Sequence, residues 1–449
     1  MARKVFLSVL GTSHYGKCKY SKEETGFIST ETRFIQTATL EYIGAKNWNK
    51  DDAIYILLTE KAQSDNWLTS EDGMRAKLNG EKEKYIGLKE ELKKMDLPCD
   101  ANIKGIPIED GKTEEEIWKI FEKMYDLIKD DLEDELYIDI THGFRYIPML
   151  MLVFSNYTKF LNQFKIKSIT YGNFETRIGN IAPIIDVTAL SSLQDWTSAS
   201  DQFLSTGSVE KLSNVYYPQL IQKLRESGGD DHDAQIMRTF IDTLKKVVKE
   251  LNTCQGKLLI EAKSINTLKS KLENVISAEK PKPFKPLLDK ISHAFDEFSS
   301  SKNVMNGFAA ARWCSDNGLY QQAITFLQET IISSICEKIN VDWSILGNRD
   351  LVSSALNILK YKIENEEEKW SMSKAASSIE NSHDIIRNII KLPEVEEIKN
   401  TFSLLSDIRN EFLHAAMLSN KQFSPEDIQK RIKENTEKIC NLLLNNKHE

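Results

Sequence analysis

Near the C-terminal end of the sequence, three side chains have the types needed for chemistry on a phosphodiester: Arg409, Asn410 and His414. A guanidinium group can form two parallel hydrogen bonds to phosphate oxygens. An imidazole, with an ordinary pKa of about 6.5, can accept or donate a proton near neutral pH. Because the same residues are also common on ordinary helix surfaces, this spacing alone leaves a purely structural role open.

The residues around this motif predict a helix over 395–418. Apolar side chains recur there with a period near 3.6 and form a stripe that would face a core: Phe402, Leu404, Leu405, Ile408, Phe412, Leu413 and Met417. Five residues span about 140° on an ideal α-helix, so Arg409 and His414 would lie on different faces. We therefore expect a two-fold dimer, in which each chain contributes both residues to a composite site.

A second group of polar residues follows predicted strands in the N-terminal half. Glycine allows a ligand to approach the backbone closely, backbone N–H groups at a helix start favour an anion, and hydroxyl groups and an arginine add donors. The pattern suits a phosphate-bearing ligand, although neither a Walker loop nor a GxGxxG fingerprint is present. Ordinary turn glycines would give the same pattern. The candidate ligand-binding residues are Gly11, Thr12, Ser13, His14, Thr59, Thr141, His142, Gly143 and Arg145.

Strands alternate with helices in the first 190 residues. Buried strands are predicted at 5–10, 53–58, 101–106, 136–140, 166–171 and 181–187, and helices at 29–44, 72–95, from 113 and at 146–163. This alternation predicts an α/β, doubly wound parallel-sheet domain of the Rossmann-like kind, in which ligands bind beyond the carboxyl ends of the strands.

The later part of the chain is predicted to be all-α. Helical spacing begins near residue 233, and a lysine- and proline-rich stretch at 280–286 indicates a break that we interpret as a solvated linker. The predicted domains are 1–190 for ligand sensing, 191–286 as a mostly helical connector, and 287–449 as a helical C-terminal domain.

Composition limits the class of protein. The 449 residues are 41% hydrophobic and 28% charged, with a net charge of −8, which gives no overall attraction to nucleic acid. No apolar run is long enough for a membrane span. The six cysteines show no CxxC pair, which predicts neither a zinc site nor a disulfide framework and favours a reducing, cytoplasmic location.

The two groups of residues, in this order, resemble a known family. The run from Asp139 to Arg145 together with Gly11, Thr12 and Ser13 resembles the CARF sensor domain of CRISPR-associated type III accessory ribonucleases. The Arg-Asn-x-x-x-His run from Arg409 to His414 resembles the signature of the HEPN nuclease domain of the same proteins. The resemblance covers 1–190 and 300–449.

The resemblance implies a homodimeric endoribonuclease of antiviral defence that cleaves single-stranded RNA without a metal or other cofactor. Its activator would be a cyclic oligoadenylate, a tetra- or hexa-adenylate ring, bound by the residues named above. Products would carry 2′,3′-cyclic phosphate ends. Two alternatives stay open: a ligand-responsive regulatory protein without nuclease activity, and a sensor that mainly degrades its own ring through Thr12, Ser13 and His142.

Overall fold

The computed structural model describes residues 2–77, 80–128, 134–162, 165–277, 284–417 and 423–445. The chain divides into two compact units, Met1–Gln194 and Asp195–Glu449. Residues 280–283 of the predicted linker lie outside the described part. Within the described residues, no helix is long and apolar enough to cross a membrane.

The N-terminal unit is built on a mostly parallel sheet with the strand order β3-β2-β10-β9-β8-β1-β4-β7. Its strands are β1 Lys4–Leu10, β2 Lys19–Lys22, β3 Phe27–Ile28, β4 Ala53–Leu58, β7 Ile103–Pro107, β8 Glu135–Asp139, β9 Lys165–Gly172 and β10 Ile181–Asp186. A separate antiparallel hairpin is formed by β5 Met74–Ala76 and β6 Lys82–Lys84. The helices are α1 Ile35–Tyr42, α2 Glu60–Ala62, α3 Leu88–Lys94, α4 Glu114–Asp126 and α5 Ile147–Asn162.

Strand β1 lies in the middle of this sheet and is buried on both faces. Successive side chains of a strand point to opposite faces, and Val5, Leu7 and Val9 accordingly pack in one core together with apolar residues of α4 and α5. Phe6 and Leu10 pack in a second core on the other face. Burial on both faces requires an almost continuously apolar strand, and the sequence of β1 has this composition. The predicted fold class is confirmed.

The predicted charged helix at 72–95 is wrong over most of its length. The structure places the β5–β6 hairpin there, and only Leu88–Lys94 is helical. The sequence contains Asn79-Gly80, the dipeptide that favours two-residue hairpin turns, and Gly80 has a φ of 86°. Charge density along the segment indicates exposure, which suits a surface hairpin as well as a helix.

From residue 188 onward the described chain is helical, as predicted. The helices are α6 Thr188–Thr206, α7 Glu210–Glu226, α8 His232–Asn252, α9 Gly256–Glu261, α10 Lys263–Ser277, α11 Lys285–His293, α12 Asn306–Asp316, α13 Tyr320–Lys338, α14 Leu346–Tyr361, α15 Lys374–Ser377, α16 Ser382–Ile390, α17 Pro393–Leu413 and α18 Pro425–Asn445. One core cluster of buried side chains runs through the C-terminal unit from Trp196 to Cys440.

Candidate functional site

Three strands end at one edge of the parallel sheet. Strand β1 pairs in parallel with β4 on one side and β8 on the other, so the carboxyl ends of all three strands share this edge. A Cβ atom built on Gly11 would lie 3.7 Å from the backbone nitrogen of Gly143 and 3.8 Å from Cβ of His142. The turn after β1 (the β1 turn, residues 11–15) and the turn after β8 (the β8 turn, residues 140–145) therefore lie close together.

Both glycines of these turns have a structural reason. The same Cβ on Gly11 would lie 2.7 Å from the hydroxyl oxygen of Tyr15, too close for any side chain to fit without moving that ring. Gly143 has a φ of 108°, in the left-handed region that other residues avoid. A Cβ there would also lie 3.0 Å from Cγ1 of Val9. The nearby Tyr15 hydroxyl explains the glycine at position 11, and the positive φ together with Val9 explains the glycine at position 143.

His142 of the β8 turn stacks on Tyr15 of the β1 turn, with ring centroids 4.3 Å apart. Burial lowers the pKa of His142 to about 4, so its imidazole is neutral at pH 7. Its Nε2 atom is buried and has no hydrogen-bond partner among the described residues. A neutral ring nitrogen is not suited to charge pairing with phosphate. Because this nitrogen is buried, a ligand could form a hydrogen bond with it only after a movement of the β8 turn.

A buried carboxyl group orders the β8 turn from below. The Asp139 side chain is fully buried and accepts hydrogen bonds from Oγ of Ser8 at 2.7 Å and from Oγ1 of Thr141 at 2.5 Å. Burial raises the pKa of Asp139 to about 6, against the effect of these hydroxyl donors. Oγ1 of Thr141 also accepts from the backbone N–H of Gly172, at 2.8 Å. Thr141 is thus held between β8 and β9.

The remaining predicted residues of this edge differ in how they are placed. Thr59 is buried, and its hydroxyl caps α2 by accepting from the N–H of Ala62 at 3.2 Å. Thr12 is half-buried, whereas Ser13 and Arg145 are exposed. The structure therefore brings the β1 and β8 turns together with exposed donors, and gives Thr59 a capping role at the neighbouring strand end.

His14 is tied to the β5–β6 hairpin. Its Nε2 atom lies 2.9 Å from Oε1 of Glu83, and Nη1 of Arg33 lies 2.8 Å from the same oxygen. Burial lowers the pKa of His14, an effect that the Arg75 and Arg33 charges reinforce and Glu83 opposes. Burial alone would raise the pKa of Glu83, but Arg33, His14 and a lysine outweigh it and hold it below its ordinary value.

Sequence reasoning missed the side chains that hold the β1 turn from the hairpin side. Asn66 donates hydrogen bonds to the carbonyl oxygens of Gly11, at 2.7 Å, and Ser13, at 2.9 Å. Arg75 donates to the carbonyl of Thr12 at 2.9 Å. The Asn79-Gly80 turn sequence would have predicted the hairpin, but nothing in the sequence alone predicts which strand end it covers.

In the C-terminal unit, Arg409 and Asn410 lie in the last turns of α17, and His414 is the residue that caps its end. Asn410 and His414 are exposed, and Arg409 is half-buried. Nη1 of Arg409 lies 3.9 Å from Oε1 of Glu329 on α13. The Nε atom of Arg409 is buried and lacks a hydrogen-bond partner among the described residues. The side chain as a whole is 35% exposed, so its other guanidinium nitrogens, and not this buried N–H, are what an anionic substrate could reach.

The end of α17 differs from the predicted helix over 395–418. The helix stops at Leu413, because Ala415 and Ala416 adopt left-handed backbone angles with φ of 49° and 57°. Leu405 and Ile408 are buried as the apolar stripe predicts, but Leu413 is 62% exposed and Met417 is 85% exposed. The predicted stripe is therefore wrong at its C-terminal end, where two exposed apolar residues lie close to His414 in the sequence.

The described residues contain no group of three or more histidine, cysteine, aspartate or glutamate side chains arranged to hold a metal ion. The pair Arg387 and Asn388, which repeats the first two residues of the C-terminal motif, lies exposed on α16. Arg387 is engaged there by Glu367 at 2.7 Å and by Asp384.

Residues 5–175 match the family described as the CARF domain of the CRISPR system endoribonuclease Csx1. The CRISPR-associated protein MJ1674 of Methanocaldococcus jannaschii is 27% identical over 326 residues, which cover 70% of this chain and 46% of that protein. The chain thus spans about half the length of the curated relative it matches.

Among solved structures, the chain is similar to Csm6 of Enterococcus italicus bound to cyclic hexa-2′-fluoro-hexa-dAMP. The sequences are 9% identical, the TM-score is 0.43, and the superposition covers 99% of this chain and 94% of Csm6.

Proposed function

Residues 5–175 match the Csx1 CARF family, and from this match we propose that the chain is a CRISPR-associated ribonuclease switched on by a cyclic oligoadenylate. The N-terminal unit would bind the ring, and the C-terminal unit would cleave single-stranded RNA. The observation that carries the sensor half is the contact between the β1 and β8 turns at the carboxyl edge of the sheet, where His142 stacks on Tyr15 and Gly11 lies close to Gly143.

The chemistry of this edge fits a ring of nucleotides. Phosphate groups would be met by backbone N–H groups of the turns, by the hydroxyls of Thr12 and Ser13 and by the exposed guanidinium of Arg145. If the β8 turn moves on binding and exposes the unpaired Nε2 of the neutral His142, this atom would meet an uncharged part of the ligand, such as a base edge or a ribose hydroxyl. Charged and neutral donors side by side suit a ligand that alternates phosphate with nucleoside.

The C-terminal motif would cleave RNA by internal transfer. A neutral His414 takes the proton of a ribose 2′-hydroxyl as its oxygen attacks the adjacent phosphorus. The bond from phosphorus to the 5′-oxygen breaks, and that oxygen receives a proton from an imidazolium, the second copy's His414. Products are a 2′,3′-cyclic phosphate and a 5′-hydroxyl. Arg409 stabilises the charge on the phosphate during attack, and Asn410 orients the phosphate.

A second copy of the chain would complete this site. Exposed apolar side chains beside His414, namely Leu413 and Met417, are what a surface that packs against a like surface requires. The N-terminal unit also has an exposed apolar face on α5, at the helical spacing of Met149, Val153 and Phe160. A symmetric ring lying on a two-fold axis fits such an isologous arrangement.

The test is cleavage of a fluorogenic single-stranded RNA in the presence of a chelator, with cyclic tetra-adenylate, cyclic hexa-adenylate or no ring. We compare the natural chain with His414→Ala and with His383→Ala, a matched control because His383 is an exposed histidine of the same unit. We expect ring-dependent cleavage that is lost in His414→Ala and kept in the control.

Other outcomes have defined meanings. Cleavage that persists in His414→Ala would place the active site elsewhere. Ring binding without cleavage would favour a regulatory protein. Chromatography of the same samples would detect conversion of the ring to linear products. Such products would show that the N-terminal unit also degrades the ring, and Thr12, Ser13 and His142 would be the residues to substitute next.

A further inference from the structure

Every carbonyl oxygen from Gly11 to Ser13 accepts a hydrogen bond from a side chain of the segment between β4 and α3. The amide nitrogen of Asn66 donates to Gly11 and Ser13, at 2.7 and 2.9 Å. Nη2 of Arg75 donates to Thr12 at 2.9 Å. The β1 turn is thus held from one side by two side chains.

This one-sided arrangement determines where the amide groups of the turn point. In a trans peptide the C=O of one residue and the N–H of the next lie in one plane and point in opposite directions. With the carbonyls of residues 11, 12 and 13 directed at Asn66 and Arg75, the N–H groups of Thr12, Ser13 and His14 are directed away from them. Among the described residues, none of these three amides donates a hydrogen bond to another group.

The two side chains are themselves fixed. Asn66 is fully buried, and its oxygen accepts from the Tyr85 hydroxyl at 2.6 Å and from Arg75. The guanidinium of Arg75 also donates to the carbonyl of Asp65 at 2.8 Å and lies 4.9 Å from the centre of the Tyr85 ring. A buried amide and an arginine held at three points hold a loop in one conformation better than exposed side chains do, because little freedom remains to be lost when a ligand binds.

We propose that Asn66 and Arg75 are positioning residues that turn three consecutive backbone amides of the β1 turn toward the ligand and so prepare a phosphate subsite. This inference rests on the proposed function, since it assumes that a phosphate-bearing ring binds at this edge. Neither side chain contacts the ligand. Their effect is to fix the direction of the N–H groups before binding, so that binding does not have to order them.

The test compares two alanine substitutions of the same kind. Asn66→Ala removes the side chain that holds two carbonyls of the β1 turn. Asn102→Ala removes a side chain that likewise donates to two carbonyls, those of Lys50 at 2.9 Å and Asp52 at 3.2 Å, at the opposite edge of the same sheet. Both should lower the thermal stability of the chain, and only the first should weaken the binding of a cyclic adenylate.

The measurement is the dissociation constant of cyclic tetra- and hexa-adenylate for the full-length chain, by calorimetry, together with hydrogen exchange of the peptide that covers the β1 turn. We expect Asn66→Ala to weaken binding by about 10- to 100-fold, the range typical for groups that orient a binding group without touching the ligand. Ring binding should protect the amides of Thr12, Ser13 and His14 in the natural chain, and less so in this variant.

Substitutions of Arg75 distinguish a positioning role from simple attraction between its charge and the ligand. Arg75→Lys keeps the positive charge but cannot bond the carbonyls of Thr12 and Asp65 with the same planar group. If the role is positioning, Arg75→Lys should weaken binding as much as Arg75→Ala does. Full rescue by lysine, or equal affinities of Asn66→Ala and Asn102→Ala, would overturn the inference. Absence of ring binding by the natural chain would instead overturn the proposed function and this inference with it.

Discussion

The buried carboxyl group of Asp139 should make the stability of the N-terminal unit depend on pH, and the size of this effect follows from the environment of the group. Its pKa is raised from an ordinary 3.8 to about 6, so the native chain binds this proton more tightly than the unfolded chain does. The contribution of this group to stability is therefore fully present below pH 3.8 and is lost as the pH rises through 6. The loss amounts to about 3 kcal/mol, of which about half is already incurred at pH 5.

Substitution of Asp139 by asparagine removes this pH-dependent loss of stability and keeps the shape of the side chain. The hydrogen bonds that are lost or rearranged with Ser8 and Thr141 contribute an offset that does not depend on pH. The free energy of opening of the N-terminal unit should therefore increase in the variant, relative to the natural chain, by about 1.4 kcal/mol between pH 5 and pH 8. Expressed as an equilibrium constant, this is a factor of about 10.

Hydrogen exchange of peptides from β1, β4 and β8 measures this opening, and comparison of two chains at the same pH cancels the intrinsic exchange rate. The ratio of exchange rates, natural chain over Asp139→Asn, should rise about tenfold from pH 5 to pH 8. Ser8→Ala is the control, because it deletes a hydrogen bond but leaves the carboxyl group. A pH trend in the same direction as in the natural chain must remain, and it should be no smaller, since the Ser8 hydroxyl lowers the pKa of Asp139. A ratio that is constant across this range would refute the reasoning that burial controls this group.

Three further substitutions test the two sites. Arg409→Ala should reduce RNA cleavage by about 100-fold or more, as loss of a transition-state charge partner does. Arg387→Ala is the control, because Arg387 is also followed by an asparagine, and this variant should cleave at the natural rate. Equal losses of activity in the two variants would reject the catalytic role of the C-terminal motif. Gly11→Ala should weaken ring binding in calorimetry, because its Cβ would lie 2.7 Å from the hydroxyl of Tyr15; unchanged affinity would mean that the β1 turn does not contact the ring. Arg145→Ala should weaken ring binding and reduce its dependence on salt concentration, and a salt dependence equal to that of the natural chain would remove Arg145 from the site.

Much of the N-terminal fold could be predicted because its strands are buried on both faces. A strand such as β4 is apolar throughout, and burial on both faces requires this composition wherever the strand lies in the sheet. Short strands at the edge do not have this requirement. β2 and β3 contain lysines and an exposed Ile28, and nothing in their sequence distinguishes them from a loop.

The candidate ligand site could be predicted only in the part that is local in sequence. Gly11 and Gly143 each follow a strand end, and the rule that parallel strands share their carboxyl edge brings them together. The contacts of Asn66 and Arg75 with the β1 turn join residues more than 50 positions apart. No periodicity or motif encodes such a pairing, because it depends on how the hairpin folds back over the edge.

The end of α17 could not be predicted for a different reason. Helices commonly end at glycine, which adopts left-handed angles at little cost. Here two alanines, Ala415 and Ala416, adopt these angles instead. Alanine is the strongest helix former, so the sequence indicates continuation at the point where the helix stops and exposes His414.

The strand order of the N-terminal unit also has a consequence for its synthesis on the ribosome. β2 pairs with β10, whose residues are translated about 160 positions later. At about 5–20 residues per second, this is a delay of about 8–30 s. During that time the nascent chain carries an unpaired edge at β2, whose partner β10 has not yet been made, and other chains could join this edge. Premature termination before residue 181 would leave this edge open permanently, so truncated products are expected to be aggregation-prone and to depend on chaperones.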